Sequence, residues 1–266
     1  MPNNSLQQYL DLIGVADLPP CTSPFDPGYD PVTVESHLEQ SGHLISILKI
    51  SMACWQIAKE SATRAKVASA KRLGVPTCTG GGPFEVAATF HQVGAYLELC
   101  ADIGVTRIEA GEGFTDTDLK PTEVCRMAEK LGLDVQYEIG EKHKGPLTDK
   151  QLLEVIDEGR AWMDAGAVQL IVEARESAQN VGLFDKDGQF NARGGDQLVE
   201  VFGLEKLIFE APTKPSQFTL LRHFGPRVHL CNVRLEELLR VEIYRRGLHS
   251  DAFQHAHLRP RGPKQS

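Results

Sequence analysis

The chain has 266 residues, a length that suits one α/β barrel domain of about 250 residues. Its formal net charge of −8 at pH 7 argues against nucleic acid as the main partner, because phosphate backbones are bound by basic surfaces. The first ten residues have no signal-peptide pattern, and no apolar run approaches the roughly 18 residues of a membrane span. Six cysteines without a CxxC pair indicate reduced thiols, so we expect a cytoplasmic protein with no membrane association.

The first segment with a recognisable character is rich in proline and runs from Leu18 to Pro31, which favours a loop or an irregular strand. After residue 44, short apolar strands alternate with segments of helical periodicity. The predicted strands are Leu44–Ile50, Val75–Thr79, Val105–Ala110, Leu133–Ile139, Val168–Glu173, Lys206–Glu210 and Val228–Cys231. The predicted helices are Trp55–Leu73, Phe84–Ile103, Lys120–Leu131, Thr148–Ala165, Asp196–Phe202, Ser216–Phe224 and Leu235–Arg245.

This alternation predicts parallel βαβ units with right-handed crossovers. An eighth strand near Cys21–Phe25 would close a single (β/α)8 TIM-type barrel with an irregular first strand, which is the fold that we predict. An open doubly wound sheet is the alternative, but no GxGxxG follows the first strand. We expect an N-terminal extension at residues 1–20, the barrel domain at residues 21–254 and a flexible basic tail at residues 255–266.

Four predicted strands end in a glutamate that precedes a small or turn-forming stretch: Glu109, Glu138, Glu173 and Glu210. In a parallel barrel these positions meet at the C-terminal rim, where active sites are built. Each glutamate alone could be a solvated rim residue or a structural ion-pair partner. Together they would raise one another's pKa unless a cation lay among them, and Mg²⁺ is the simplest such cation because it prefers oxygen ligands. We therefore predict that these four residues bind Mg²⁺.

Basic side chains are predicted at the same rim. Lys49 closes the first clear strand, Lys142 lies in the loop after the strand that ends at Ile139, and Arg175 follows Glu173 by two residues. A metal usually takes one or two carboxylates, so the other glutamates could pair with Lys142 or Arg175, or act as acids or bases.

Three further polar residues follow the last two predicted strands. Asn232 ends the last strand, and Lys214 and Arg234 lie at helix starts. Barrels often bind phosphate in this region, through helix N-termini. The alternative is that Lys214 and Arg234 are capping or surface residues.

Six spaced runs resemble the phosphosulfolactate synthase family over roughly residues 35–253: IEAGEG (residues 108–113), EIGEK (138–142), IVEARES (171–177), GLFDKDG (182–188), IFEAPTK (208–214) and RRGLHSDAF (245–253). The resemblance implies a (β/α)8 barrel that requires Mg²⁺. It also implies a lyase that adds sulfite to phosphoenolpyruvate, giving (2R)-phospho-3-sulfolactate, the first step of one route to coenzyme M.

That reaction suggests roles for the rim residues. We expect Lys142 to be the general acid that protonates C2, and Arg175 and Lys49 to hold anionic groups. Lys214, Asn232 and Arg234 would complete the binding of the small anionic substrates. We expect no nucleic-acid or membrane partner, and a homo-oligomer.

The sequence departs from the family pattern at the first two strands. Family members begin with a strand resembling TTGLTMVIDKG, and their next strand ends in a segment like KxGWGTS. Here these regions read TSPFDPGYDP (Thr22–Pro31) and KISMACW (Lys49–Trp55), so a lysine is kept at Lys49 while the first strand's basic residue and the GWGTS loop are not. Two alternatives follow: a diverged homologue that uses another enol phosphate or sulfur nucleophile, or a non-catalytic barrel like the heat-stress-associated proteins of plants.

Overall fold

Eight parallel strands close into a barrel in the computed structural model, which describes residues 5–50, 52–115, 117 and 120–262. In this part of the chain the strands are β1 (Thr22–Asp26), β2 (Leu48–Ile50), β3 (Thr77–Thr79), β4 (Arg107–Gly111), β5 (Asp134–Ile139), β6 (Gln169–Val172), β7 (Leu207–Glu210) and β8 (His229–Arg234). They pair in chain order, and β8 pairs with β1. The predicted (β/α)8 barrel is therefore confirmed.

Helices surround the barrel in the same described residues. They are α1 (Leu6–Leu12), α2 (Pro31–Ser41), α3 (Cys54–Ile57), α4 (Glu60–Arg72), α5 (Gly81–Thr89), α6 (Val93–Ile103), α7 (Pro121–Lys130), α8 (Asp149–Ala165), α9 (Ala192–Phe202), α10 (Lys214–Phe224), α11 (Leu238–Arg245) and α12 (Ser250–Phe253). Short 3-10 turns cover Gly42–Leu44, Leu204–Lys206 and Leu235–Glu237.

Two of the predicted helices were wrong in extent, because each is split in the structure. The segment predicted as Trp55–Leu73 breaks where Ala58 and Lys59 are extended, with ψ values of 166° and 128°. The segment predicted as Phe84–Ile103 breaks at His91, whose φ of 54° lies in the left-handed region that a helix cannot use. No proline marks either break.

The first strand is irregular, as its prolines predicted. The pairing of β1 with β8 shifts register between Ser23 and Pro24, where proline offers no N–H to the ladder. The fully buried Arg245 on α11 connects β1 to the residue that precedes β8. Its guanidinium donates to the carbonyl of Val228 at 2.8 Å and to Oγ1 of Thr22 at 2.9 Å, so a charged side chain stabilises the closure of the barrel.

The hydrophobic core has two parts that matter for the site. The larger part lies between the strands and the helices, where Tyr137 stacks on Trp162 at 4.0 Å. A smaller cluster consists of Ile171, Ile208 and Cys231. Because Ile171 and Ile208 precede strand-end glutamates by two residues, they share the barrel interior with those carboxylates. Apolar side chains thus fill the barrel beneath a polar layer.

The end of the described chain packs against its beginning. Leu258 is buried, and the N–H of Gly262 donates to the carbonyl of Ile13 at 3.1 Å. Residues 263–266 of the expected flexible tail lie outside the described residues, so the division into extension, barrel and tail stays a prediction. Among the residues that were described, no helix combines the length and apolar character needed to span a bilayer.

Candidate active site

Three strand-end carboxylates converge at the C-terminal rim of the barrel. Glu138 lies near the end of β5, Glu173 directly follows β6 and Glu210 ends β7, and all three are buried. One carboxylate oxygen from each lies within 4.8 Å of the others. The closed parallel sheet causes this convergence, because neighbouring strands end at the same rim with side chains alternating inward.

Burial sets the electrostatics of this trio. Desolvation raises the pKa of all three carboxyl groups. Mutual repulsion adds to the effect, since Glu173 raises the pKa of Glu138 and Glu210 raises that of Glu173. Three carboxylates held this close therefore require protons or cations among them.

Lys142 supplies one such cation. Its ammonium contacts Glu138 and lies 2.6 Å from Oε2 of Glu173. Burial acts to lower the pKa of Lys142, but the charges of the two glutamates outweigh it, so the pKa is raised. Lys142 is therefore a protonated ammonium at neutral pH. When all three carboxylates are ionised, Lys142 and the trio together still carry a formal charge of −2.

The fourth predicted glutamate has a different partner. Glu109 on β4 forms a buried ion pair with Lys49 on β2, with 2.9 Å between Nζ and Oε1. Its carboxylate also accepts from the N–H of Gly81 at 2.8 Å and from Nε2 of Gln136 at 3.0 Å. Burial opposes the charge on Lys49, but the negative charges of Glu109 and the neighbouring acidic groups together outweigh it and raise the lysine pKa. Glu109 lies outside the trio, and its role as a metal ligand stays a prediction.

Asn232 links the two halves of this polar layer. Its Oδ1 accepts from Nζ of Lys49 at 2.9 Å, and its Nδ2 donates to Glu210. The backbone of Asn232 has a φ of 54°, a left-handed conformation within a strand that only a few residue types adopt readily. Asparagine is one of these residue types, so it fits this backbone conformation while its side chain makes both hydrogen bonds.

Arg175 also reaches the site, chiefly through its backbone. Its N–H donates to Oε1 of Glu173, and its φ is 55°. The side chain is exposed at the rim, where a guanidinium nitrogen donates to the carbonyl of Lys142 at 3.3 Å. The guanidinium is thus available to an anion that approaches from solvent.

Lys214 and Arg234 lie away from these contacts. The ammonium of Lys214 is 3.8 Å from Asp251 and 5.1 Å from the Phe218 ring, in a surface cleft between α10 and α12. Arg234 pairs with Glu236, with 2.6 Å between Nε and Oε1. Within the described part of the chain, neither side chain is seen to contact the carboxylate layer, and their roles in substrate binding stay predictions.

Three glycines surround the carboxylate of Glu138 closely. A Cβ on Gly113 would lie 3.0 Å from Oε1 of Glu138 and 3.1 Å from Nζ of Lys142. A Cβ on Gly111 would lie 3.3 Å from Cβ of Glu138, and one on Gly81 would lie 3.8 Å from its Oε2. Side chains at Gly111 and Gly113 would crowd Glu138, so these two glycines allow the backbone to approach it, whereas a Cβ on Gly81 would make ordinary contacts only.

The trio is suited to a hard divalent cation. Its ligands are all oxygens, and Mg²⁺ and Ca²⁺ prefer carboxylate and water oxygens. Within the described residues, Glu138, Glu173 and Glu210 form the cluster that could hold a metal ion. A divalent ion would also offset the two excess negative charges that Lys142 leaves.

One residue of this region was missed by the reasoning from sequence. Glu85 is fully buried on α5, and its carboxylate accepts from the N–H groups of Phe114 and Thr115. A usable signal existed, because Glu85 is the one charged residue in the otherwise uncharged run from Gly80 to Thr89, directly after three glycines, a proline and a phenylalanine. A charge in such a segment is rarely buried without a specific partner.

Comparisons with known proteins agree with this architecture. The sequence profile of the (2R)-phospho-3-sulfolactate synthase (ComA) family matches residues 20–251. The phosphosulfolactate synthase of Methanocaldococcus jannaschii is 32% identical over 233 residues, which cover 86% of this chain and 91% of the relative. The enzyme of the same name from Methanothermobacter thermautotrophicus is 29% identical over 238 residues, or 87% of this chain and 90% of the relative.

A solved structure resembles the fold. KGPDC from Streptococcus mutans superposes with a TM-score of 0.54 at 10% identity, covering 91% of this chain and 95% of that chain. A second crystal structure of the same protein, determined as a complex, gives a TM-score of 0.51 at 13% identity, covering 80% and 86%. At these identities the likeness concerns the fold alone.

Proposed function

Because this chain belongs to the (2R)-phospho-3-sulfolactate synthase family, we propose that it forms a carbon–sulfur bond by adding sulfite to phosphoenolpyruvate. The sulfur lone pair of sulfite attacks C3 of the enol, and the π electrons move to C2 and into the carboxylate. A proton then adds at C2. No group leaves, so the product (2R)-phospho-3-sulfolactate contains every atom of the two substrates and one proton.

The observation that carries the proposal is the contact of Lys142 with Glu138 and Glu173 at the rim. Its raised pKa keeps Lys142 protonated before the reaction. The carbanion-like C2 that forms after sulfite addition is far more basic than an amine, so proton transfer from the ammonium is downhill. We therefore assign Lys142 as the general acid.

The negative charges of both substrates require cationic partners. Arg175 offers a guanidinium at the rim, which suits bidentate binding of a phosphate or carboxylate. Lys49 is buried beneath the rim and is held by Glu109 and Asn232, so it supplies a fixed positive charge from within the barrel. Both residues are assigned to the binding of anionic groups, and Asn232 to positioning Lys49.

Glu138, Glu173 and Glu210 would hold Mg²⁺, which would stabilise negative charge that develops on the substrate carboxylate. The support is their mutual distance, their burial and their all-oxygen ligand set. Lys142 shares Glu138 and Glu173 with this site, so the proposed acid stands beside the charge that it must neutralise.

One experiment tests the choice of substrates. The protein with Mg²⁺ is incubated with phosphoenolpyruvate and, in parallel, sulfite, thiosulfate or a small thiol, and products are identified by mass spectrometry. Formation of phosphosulfolactate with sulfite, and of no product with the other two nucleophiles, would support the proposal. A product from another nucleophile alone would support the diverged homologue, which the altered first two strand ends favour. The same mixtures are repeated with other enol phosphates in place of phosphoenolpyruvate. If no mixture gives a product, a non-catalytic barrel is favoured.

We also propose a cytoplasmic location, which the six scattered cysteines without a CxxC pair support, and a homo-oligomeric state. Size-exclusion chromatography with light scattering tests the second of these. A mass near 29.3 kDa at micromolar concentration would contradict it.

A further inference from the structure

Glu85 joins α5 to the loop that follows β4. Its Oε2 accepts three hydrogen bonds from that loop: from the N–H of Phe114 at 2.9 Å, from the N–H of Thr115 at 3.2 Å and from Oγ1 of Thr115 at 3.0 Å. Three donors on one carboxylate oxygen fix the position of the loop relative to α5.

The other oxygen of the same carboxylate has no partner among the described residues. Oε1 of Glu85 is buried and accepts no hydrogen bond from the described residues. A buried carboxylate oxygen without a partner is costly, and such an atom in a folded protein calls for a water, an ion or a ligand.

The free oxygen faces the carboxylate site. A Cβ built on Gly111 would lie 3.8 Å from Oε1 of Glu85 and 3.8 Å from Oε1 of Glu138. The two oxygens therefore border the same small space, which the absence of a side chain at Gly111 leaves open. Glu138 is a member of the trio that could hold a metal ion.

We propose that Glu85 is a positioning residue of the cation site, and that its free oxygen accepts a hydrogen bond from a water molecule on the divalent ion. This inference rests on the proposed function, because it requires a cation on Glu138, Glu173 and Glu210. Mg²⁺ usually keeps several waters, and those waters need acceptors that orient them. Because the other oxygen of Glu85 binds the N–H groups of Phe114 and Thr115, binding of the cation should also make this loop more ordered.

The test titrates Mn²⁺ alone into the metal-free full-length protein by isothermal calorimetry, without substrate. Glu85→Gln keeps the shape of the side chain and an oxygen for the loop donors, but it removes the charge. We expect it to weaken Mn²⁺ binding by about 10- to 100-fold, the usual effect of losing an outer partner of a metal site. Glu112→Gln is the matched control, since Glu112 accepts from the N–H and Oγ1 of Thr117 in the same loop and should leave the affinity unchanged.

Equal Mn²⁺ affinity in wild type and Glu85→Gln would overturn the inference. If the role of Glu85 were purely structural, Glu85→Gln would lower the Tm of the metal-free protein and leave the Mn²⁺ affinity unchanged. Should Glu85→Gln not fold, hydrogen exchange on the wild type decides. Mn²⁺ should then slow exchange at the N–H groups of Phe114 and Thr115, and unchanged exchange would overturn the inference. Absence of Mn²⁺ binding in the wild type would instead contradict the metal site of the proposed function.

Discussion

The ammonium nitrogen of Lys142 lies 2.6 Å from Oε2 of Glu173, so a lysine in the loop after β5 is held by a carboxylate at the end of β6. This contact fixes the proposed proton donor beside the carboxylates that could bind a cation. The reactivity of the site should therefore depend on Lys142 more than on any neighbouring charge.

Replacement of Lys142 by methionine should lower kcat by about 10²- to 10⁴-fold, the range expected for loss of a general acid. Steady-state kinetics with phosphoenolpyruvate and sulfite measures the effect. Lys144→Met is the matched control, because Lys144 lies in the same loop but is exposed and pairs with Glu141. Near-normal turnover of Lys142→Met would show that the proton comes from another group.

Glu173→Gln should weaken Mn²⁺ binding by more than about tenfold, since loss of outer partners alone costs about 10- to 100-fold. Titration by calorimetry without substrate measures this separately from catalysis. Glu141→Gln removes an exposed carboxylate nearby and should leave the affinity unchanged. If both variants bound Mn²⁺ as the wild type does, the cation would have to lie elsewhere.

Gly113→Ala should impair activity through steric crowding. Its Cβ would lie 3.0 Å from Oε1 of Glu138, 3.1 Å from Nζ of Lys142 and 3.2 Å from Cγ of Lys142, so the ion pair must shift. We expect a lower kcat with an intact fold, measured by kinetics and circular dichroism.

The control for that substitution is Gly94→Ala on α6, where a Cβ meets no atom within 4 Å. Alanine there should stabilise the protein by at most about 0.5–1 kcal/mol, the value for a helix interior, because Gly94 is the second residue of α6. Equal activity of the two variants would contradict the importance of close approach at Gly113.

The raised pKa of Glu210 predicts how stability depends on pH. Burial lets the folded protein keep this proton at pH values where the unfolded chain, with a pKa of about 4.3, has lost it. The folded state then binds more protons, so the free energy of unfolding falls as pH rises above about 4.3. Glu210→Gln lacks this titration and should become more stable relative to wild type as pH rises above about 4.3.

Urea unfolding of both metal-free proteins in EDTA at several pH values measures that difference. A difference that stays constant across the range would contradict the raised pKa of Glu210.

The barrel and the glutamate layer were predictable for a common reason. Strand-end positions in a parallel barrel meet at one rim, so the pattern of an apolar strand, a glutamate and a turn predicted that Glu138, Glu173 and Glu210 lie together. The same pattern did not show that Glu109 pairs with Lys49 instead of joining them. The same logic brought Lys49 and Asn232 to the layer, because both lie on strands.

Residues on helices and in loops were less predictable. Lys214 begins α10, but its side chain turns outward to Asp251, and neither strand order nor charge pattern determines that direction. The break of a predicted helix at His91 is marked by a left-handed backbone conformation, and no proline in the sequence signals it. Glu85 was missed because it lies on a helix. It reaches the rim only because α5 packs against β4, and the sequence pattern does not predict that packing.

The most direct test incubates the wild-type protein with phosphoenolpyruvate and sulfite under three conditions: with Mg²⁺, with EDTA, and with Mg²⁺ restored after EDTA. Mass spectrometry then measures the product. We predict phosphosulfolactate with Mg²⁺, none with EDTA, and recovery when Mg²⁺ is added back. Unconsumed phosphoenolpyruvate in the presence of Mg²⁺ and sulfite, or product formation that persists in EDTA, would contradict the proposed reaction or its metal.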